Sequence, residues 1–291
     1  MAAGDRITEN WQLEYNGWLA GGDVAATNIV KIDGLADMPG LATSDLQLLR
    51  RHGMWAGDDF MVGRTVGVEL EIEAADNAAL ATELTYLANA TAPGIAEIPL
   101  CFQIPGVAGG GKRQVMARPR KRSLPIGLDY YYRMPIANVE WFATDPHIYD
   151  QVLSTVTLAM PSGDTGVTFP IGFVAPALTF GSGGYNAIAT CINAGSTYTR
   201  PTITVTGPVV NPSVQHNSGA ILKANVTIPA GQTLTFDTSR HTVTFQGVNY
   251  YSTLDPTSRW FEFTPGTNTV QFRADSTTAA TATITWRSCW I

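Results

Sequence analysis

Between Pro229 and Phe272 the chain reads as short strands cut by turn residues at nearly even spacing. Thr233, Thr235 and Asp237 alternate with Leu234 and Phe236, and Thr242 and Thr244 alternate with Val243 and Phe245. A period of two marks half-buried strands, one face against a core and one toward water. Turn residues fall at Pro229-Ala230-Gly231, from Asp237 to Arg240, at Gly247 and at Pro265-Gly266-Thr267-Asn268. This pattern predicts an antiparallel sandwich with a polar surface, and nothing within it carries a chemical signature.

The same class of sequence extends upstream. Clean alternation starts at Pro201-Thr202-Ile203-Thr204-Val205, whereas residues 166–195 are interrupted by Pro170, Pro176, Gly181, Gly183 and Gly184. A change from charged, mixed sequence to Thr-, Gly- and Pro-rich sequence puts a domain boundary near Met160-Pro161-Ser162-Gly163, giving domains of residues 1–160 and 161–291. In the first, Thr65 to Glu73 alternates Val66, Val68, Leu70 and Ile72 with Glu69, Glu71 and Glu73, which predicts a strand. Asp76 then suits an N-cap, Leu80, Leu84 and Leu87 recur at helical spacing, and Pro93-Gly94 stops the run. Ile98 to Ile104, Gln114 to Ala117 and Tyr130 to Phe142 read as further strands, and Ser44 to Arg51 as a possible short helix. The expected fold is mostly β: two sandwiches, the first with a single helix.

The order of features in the C-terminal half resembles the galectin-like domain of the siphophage distal tail protein family: the Ala-Gly turn, a strand ending in Asp237-Thr238, a strand ending in Gly247, the pair Trp260-Phe261, then Pro-Gly-Thr-Asn before a last strand. In the N-terminal half, a strand, one helix and a strand pair ending in Asp145-Pro146 and Tyr149-Asp150, with Arg118-Pro119 after the hairpin, is similar to the ring-building domain of that family. The resemblance runs from about Gly63 to Phe272. It implies a hub ring, usually of six subunits, between tail tube and tail tip, with the first domain inside, the galectin-like domain outside and a channel for DNA.

Bulk properties narrow the alternatives. A chain of 291 residues can bury two cores without staples. No apolar run approaches the ~20 residues of a membrane span, so no membrane insertion is expected. The N-terminus, MAAGDRITENWQLEYNG, does not read as a secretory signal, and synthesis in the host cytoplasm is expected. Cys101, Cys191 and Cys289 are widely spaced without a CxxC pair, which suits buried thiols rather than disulfides or a zinc site. The net charge of −6 lies in the first half, where residues 1–150 hold 12 basic and 19 acidic side chains. That balance disfavours a grip on nucleic acid.

Each candidate site has a plain structural alternative. Gly106 to Lys112 fits GxxxxGK, but Arg113 follows where a phosphate loop needs Ser or Thr, and a β pattern follows where it needs a helix. A mobile glycine-rich hairpin tip is the expectation. Lys112, Arg113, Arg118, Arg120, Lys121 and Arg122 supply six of the 18 basic residues, either as a solvated strand face or as an arm meeting acidic groups of a neighbouring subunit. Glu69, Glu71 and Glu73 form a carboxylate ladder without His or Asp to complete a metal set, either a solvated face or the lining of a channel that repels phosphate. His52, His147, His216 and His241 are scattered, with no hydrolase constellation. Tyr250, Tyr251 and Trp260 could stack on sugar, yet Gln215-His216-Asn217-Ser218 lacks the polar set of true galectins.

The expectation is a structural protein rather than an enzyme, a distal tail hub of a virion, with no cofactor. Its partners would be copies of itself, a tail tube protein and a tail tip or tail-associated protein, with DNA passing through unbound. The alternative is a carbohydrate- or receptor-binding tail module.

Overall fold

The alternation around Val66 becomes a strand at Arg64–Ile72, with Val66, Val68, Leu70 and Ile72 buried and Glu69 and Glu71 half-exposed on the opposite side. The structure, a computed structural model, describes residues 2–23, 25–160, 187–275 and 279–291. They form two units, Met1–Val152 with Cys289–Ile291, and Leu153–Ser288.

The first unit runs β1 (Gln12–Tyr15), β2 (Trp18–Gly21), β3 (Thr27–Asp33), β4 (Leu41–Ala42), β5 (Leu46–Gln47), β6 (Met54–Trp55), β7 (Phe60–Met61), β8 (Arg64–Ile72), α1 (Asn77–Ala90), β9 (Ile98–Gln103), β10 (Arg113–Ser123), α2 (Leu128–Tyr131), β11 (Ile136–Ala143) and β12 (Ile148–Asp150). Its main sheet is ordered β2-β1-β9-β10-β11-β8-β3, all antiparallel. The long β10 pairs with β9 over residues 113–117 and with β11 over residues 118–123, and a bulge between Pro119 and Lys121 falls within the β11 pairing. The extra residue kinks β10 alongside β11.

Helix α1 forms where the leucines predicted it. Asp76 accepts from the Ala79 amide at 2.8 Å, satisfying one orphan donor, and Leu80 and Leu87 are buried. The core joins these leucines to Leu13, Val68, Leu100, Phe102, Val139 and Trp141. Tyr15 meets Trp141 edge-on at 5.6 Å and donates its hydroxyl to the Ala117 carbonyl at 3.2 Å. Burial raises its pKa to about 12.

Two local expectations are corrected. Ser44–Arg51 is no helix: Leu46 pairs with Trp55 and Gln47 with Met54, as part of a two-stranded ribbon. The expected strand from Tyr130 starts at Ile136. Before it the backbone closes onto itself, with the Gly127 and Leu128 carbonyls accepting from Tyr131 and Tyr132, so a four-residue α2 joins the predicted helix.

The second unit contains β13 (Ser154–Ala159), β14 (Ala187–Asn193), β15 (Thr202–Thr206), β16 (Val209–Val210), β17 (Ser213–His216), β18 (Ile221–Lys223), β19 (Thr227–Ile228), β20 (Thr233–Asp237), β21 (Thr242–Phe245), β22 (Val248–Asn249), β23 (Gly266–Arg273) and β24 (Thr281–Trp286). A final β25 (Cys289–Trp290) pairs with β12 of the first unit. Sheets β13-β24-β15-β20-β21-β22 and β14-β23-β17-β18 enclose a core that includes Ile203, Leu234, Phe236, Val270, Phe272 and Ile284. Phe236 and Phe272 are fully buried, each worth roughly 2–3 kcal/mol. Gly266 to Asn268, expected as a turn, open β23 instead. The interrupted stretch read at 166–195 lies outside the described residues as far as 186, and Ala187 onward is β14.

The outer side of the six-stranded sheet is nearly all threonine. Thr157, Thr283, Thr204, Thr235 and Thr244 stand in register across five strands. Thr155, Thr285, Thr202, Asp237 and Thr242 form a parallel row. The hydroxyls of Thr157 and Thr283 lie 3.2 Å apart, and those of Thr204 and Thr235 3.4 Å.

Candidate assembly surface

Register brings both sets of charged candidates into one sheet. Across the outward side, Glu69 stands between Lys31 of β3 and Asn138 of β11, and Glu71 stands between Asn28 and Ile136. Glu140 of β11 faces Lys121 of β10 and binds it at 3.1 Å. Strand β11 alone separates the carboxylate ladder from the basic strand, a gap of roughly 10 Å at two strand spacings. Glu73 lies just past the end of β8, exposed. Lys31 binds Asp33 at 2.8 Å, and this hydrogen bond, with smaller help from Glu69, raises the lysine pKa.

The six basic residues divide by surroundings. Arg113 is largely buried: its Nε donates to the Ala108 carbonyl at 2.7 Å, its Nη1 lies 3.4 Å from Asp150, and its guanidinium covers Trp290 at 4.0 Å. Burial lowers its pKa, with Asp150 opposing. The same bonds fold the glycine-rich loop, whose residues Val107–Gly109 make a 3-10 turn, so Arg113 holds the loop against the terminal strand rather than presenting charge. Lys112 precedes β10 and is half-exposed. Arg122 donates to the Ala88 carbonyl at 3.0 Å and the Thr91 hydroxyl at 2.8 Å, a cation at the negative end of α1.

Arg118, Arg120, Lys121 and Arg122 line a cleft of about 400 Å³ closed by Thr91, Pro93 and Gly94. Arg118 donates to the Ile95 carbonyl at 3.3 Å. Arg120, exposed in the bulge, lies 5.3 Å over the Phe142 ring. A cleft walled by four cations fits a carboxylate or another oxyanion, and guanidinium groups can meet it with two hydrogen bonds at once.

Arg64 and an apolar ribbon escaped the sequence reading. Arg64 is 2% exposed. Its Nε donates to Pro146, and its Nη1 to the carbonyls of Gly34, Leu35 and Asp37. Those carbonyls come from distant loops, so no local pattern announces the contact. Burial lowers its pKa, with Asp37 opposing. Beyond this clamp, β4 to β7 form a ribbon with Leu46, Leu49, Met54, Trp55 and Phe60 exposed.

The remaining titratable groups are structural. Asp145 accepts from His147 Nδ1 at 2.6 Å and from the Tyr149 hydroxyl at 2.7 Å. Burial would raise its pKa, but these bonds hold it below the usual carboxylate value. His216 is 4% exposed, stacked on Phe261 at 4.9 Å and bonded to Ser218 and Asn268. It faces the core, not a sugar, and burial lowers its pKa. Tyr250 lies 5.3 Å from Phe245, Tyr251 is exposed and Trp260 stacks on His241 at 5.0 Å. The three cysteines are buried and unbridged, and burial pushes the Cys191 thiol up to about 11. Among the described residues no cluster of His, Cys, Asp and Glu could hold a metal ion, and no helix is long and apolar enough to cross a membrane.

Residues 194–290 match the family described as "Siphovirus-type tail component, C-terminal domain". The chain shares its fold with the crystal structure of phage SPP1 Dit (gp 19.1), titled a paradigm of the hub adsorption apparatus in phages that infect Gram-positive bacteria, at 14% identity and a TM-score of 0.65, covering 96% of this chain and 99% of that one. The phage P2 baseplate in its activated conformation with calcium also contains a similar chain, at 10% identity, a TM-score of 0.49 and coverage of 94% and 97%. No curated protein matches.

Proposed function

We propose that this chain is a structural component of a phage tail, a hub ring between tail tube and tail tip, because residues 194–290 match the siphovirus-type tail component family and the fold of a distal tail protein is shared over 96% of the chain. The observation that carries this reading is the family match over residues 194–290. The shared fold of both units supports extending it to the whole chain.

In this reading, copies join head to tail and the contacts close into a ring, six-fold by the resemblance. The cleft of Arg118, Arg120, Lys121 and Arg122 receives an acidic surface of the neighbouring copy. Glu69, Glu71 and Glu73 line the opening, where carboxylates repel the phosphates of passing DNA. Lys112 flanks the contact, whereas Arg113 contributes only by holding its loop. The tube protein and a tip or tail-associated protein meet the two sides of the ring. Charge is used for fit and repulsion, and no bond is made or broken.

Native mass measurement of the purified chain, alone and with tail-tube subunits, tests this. A closed oligomer, or one formed on adding tube subunits, supports it. Particles that contain the chain elsewhere than the distal end of the tail contradict it.

A further inference from the structure

Away from the charged strands, the first unit holds another cleft, of about 430 Å³, between the β1–β2 turn and helix α1. Local chemistry fixes its walls. Strands β1 and β2 pair from Gln12↔Gly21 to Tyr15↔Trp18, which leaves Asn16-Gly17 as a two-residue turn, and both have positive φ, 49° and 76°. Asn and Gly accept that backbone at the least cost. Arg6 Nη1 donates to the Gly17 carbonyl, which braces the turn and sets a guanidinium in the wall of the cleft. On the other side α1 packs against β2 and supplies Glu83, Tyr86 and Asn89, three residues apart and so neighbours along one side of the helix.

The polar groups gathered there are unspent. Among the described residues the side chains of Asn16, Glu83, Tyr86 and Asn89 make no hydrogen bond or ion pair. Trp18, which also lines the cleft, is 4% exposed, and its buried indole N–H has no acceptor. Such a donor is uncommon in a folded chain. Tyr86, by contrast, is 57% exposed and sets an aromatic ring among these groups.

The balance of the lining selects the guest. One guanidinium faces one carboxylate, so an anion meets Glu83 and a cation meets Arg6, and neither sign is favoured. An apolar guest would take water from the two amides, the carboxylate and the phenol without replacing its hydrogen bonds. A neutral molecule dense in hydroxyls satisfies them all, because amides both donate and accept, a carboxylate accepts and an aromatic face covers the C–H side of a sugar ring. The volume lies in the range of small-ligand sites.

We propose that this cleft binds a neutral saccharide, with Tyr86 against one sugar ring and Asn16, Glu83 and Asn89 on its hydroxyls. The site lies in the first unit and does not depend on the tail reading.

The test is a titration of the full-length, nitrogen-15-labelled protein with glucose, galactose and N-acetylglucosamine, following the indole N–H signals of its seven tryptophans by NMR. The Trp18 signal is the one missing from Trp18→Phe. At least one sugar should move it saturably, with a dissociation constant on the order of 1 mM. Asn89→Ala and Glu83→Gln, neither at a buried position, should each weaken that binding about tenfold or more, with circular dichroism unchanged. A Trp18 signal that no sugar moves up to about 100 mM overturns the site, and so does binding that survives both substitutions. Glycine, a zwitterion matched to Arg6 and Glu83, is the competing probe, and a response to it but not to sugars overturns the ligand class. None of these results touches the tail assignment, which rests on residues 194–290.

Discussion

The two units turn very different chemistry outward from the same period of two. On β8, β11 and β10 the solvent side carries Glu69, Glu71, Glu140 and Lys121, whereas on β15, β20 and β24 it carries Thr204, Thr235 and Thr283. Both solutions solubilise a sheet. Only the first offers long-range attraction, repulsion and register, because charge steers partners and threonine hydroxyls do not. On the ring reading proposed above, the contacts that decide how copies assemble would belong to the first unit, and the second would be a neutral surface on which few substitutions should alter oligomer mass.

The largest effect should come from Arg64. Arg64→Leu strands the carbonyls of Pro146, Gly34, Leu35 and Asp37, and should cost about 3 kcal/mol. Urea unfolding should show that loss in the first unit with the transition of the second unmoved. Equal loss in both would dissolve the comparison.

Next, Arg120→Glu with Lys121→Glu should raise the dissociation constant of the oligomer about tenfold or more in sedimentation, while Thr204→Lys with Thr235→Lys leaves it unchanged. Arg122 is a poorer target for reversal, since it also caps α1 through Ala88 and Thr91. A threonine pair that matters as much as the basic pair would contradict the division of roles.

Asp76→Ala should destabilise the first unit by about 1 kcal/mol through loss of the N-cap, read as a lower urea midpoint at unchanged slope.

The smallest effect is that of pH. Burial depresses the His216 pKa, so the unfolded chain takes up its proton more readily than the folded one. Its stabilisation is complete above the ordinary histidine value of 6.5 and is lost as pH falls from there toward the folded value. Asp145, also depressed, keeps its contribution until pH falls below the ordinary carboxylate value of 3.8 and on through its folded value. Calorimetry between about pH 7.5 and about pH 5 should therefore lower the melting temperature of the second unit before that of the first.

The legible parts of this molecule are those fixed by neighbours in sequence. Alternation gave the strands at Thr233–Asp237, Thr242–Phe245 and Arg64–Ile72, and the leucine spacing with Asp76 gave α1. Residues 38–62 were illegible because their pattern is set by a ribbon that packs on nothing nearby, so neither a period of two nor one of 3.6 is enforced. The six basic residues looked alike as letters. Their separation into a loop-holding Arg113, a helix-capping Arg122 and a cleft containing Arg120 depends on Trp290, Asp150 and Thr91, none adjacent in the chain. The return of Cys289–Trp290 to β12 likewise has no local signal.

Near-atomic imaging of particles that contain this chain tests the central claim most directly. The account predicts a closed ring of copies at the distal end of the tail, with the basic cleft of residues 118–122 against a neighbouring copy and Glu69 and Glu71 toward the opening. Density for the chain away from that ring, or a ring held together through the threonine rows instead, would contradict it.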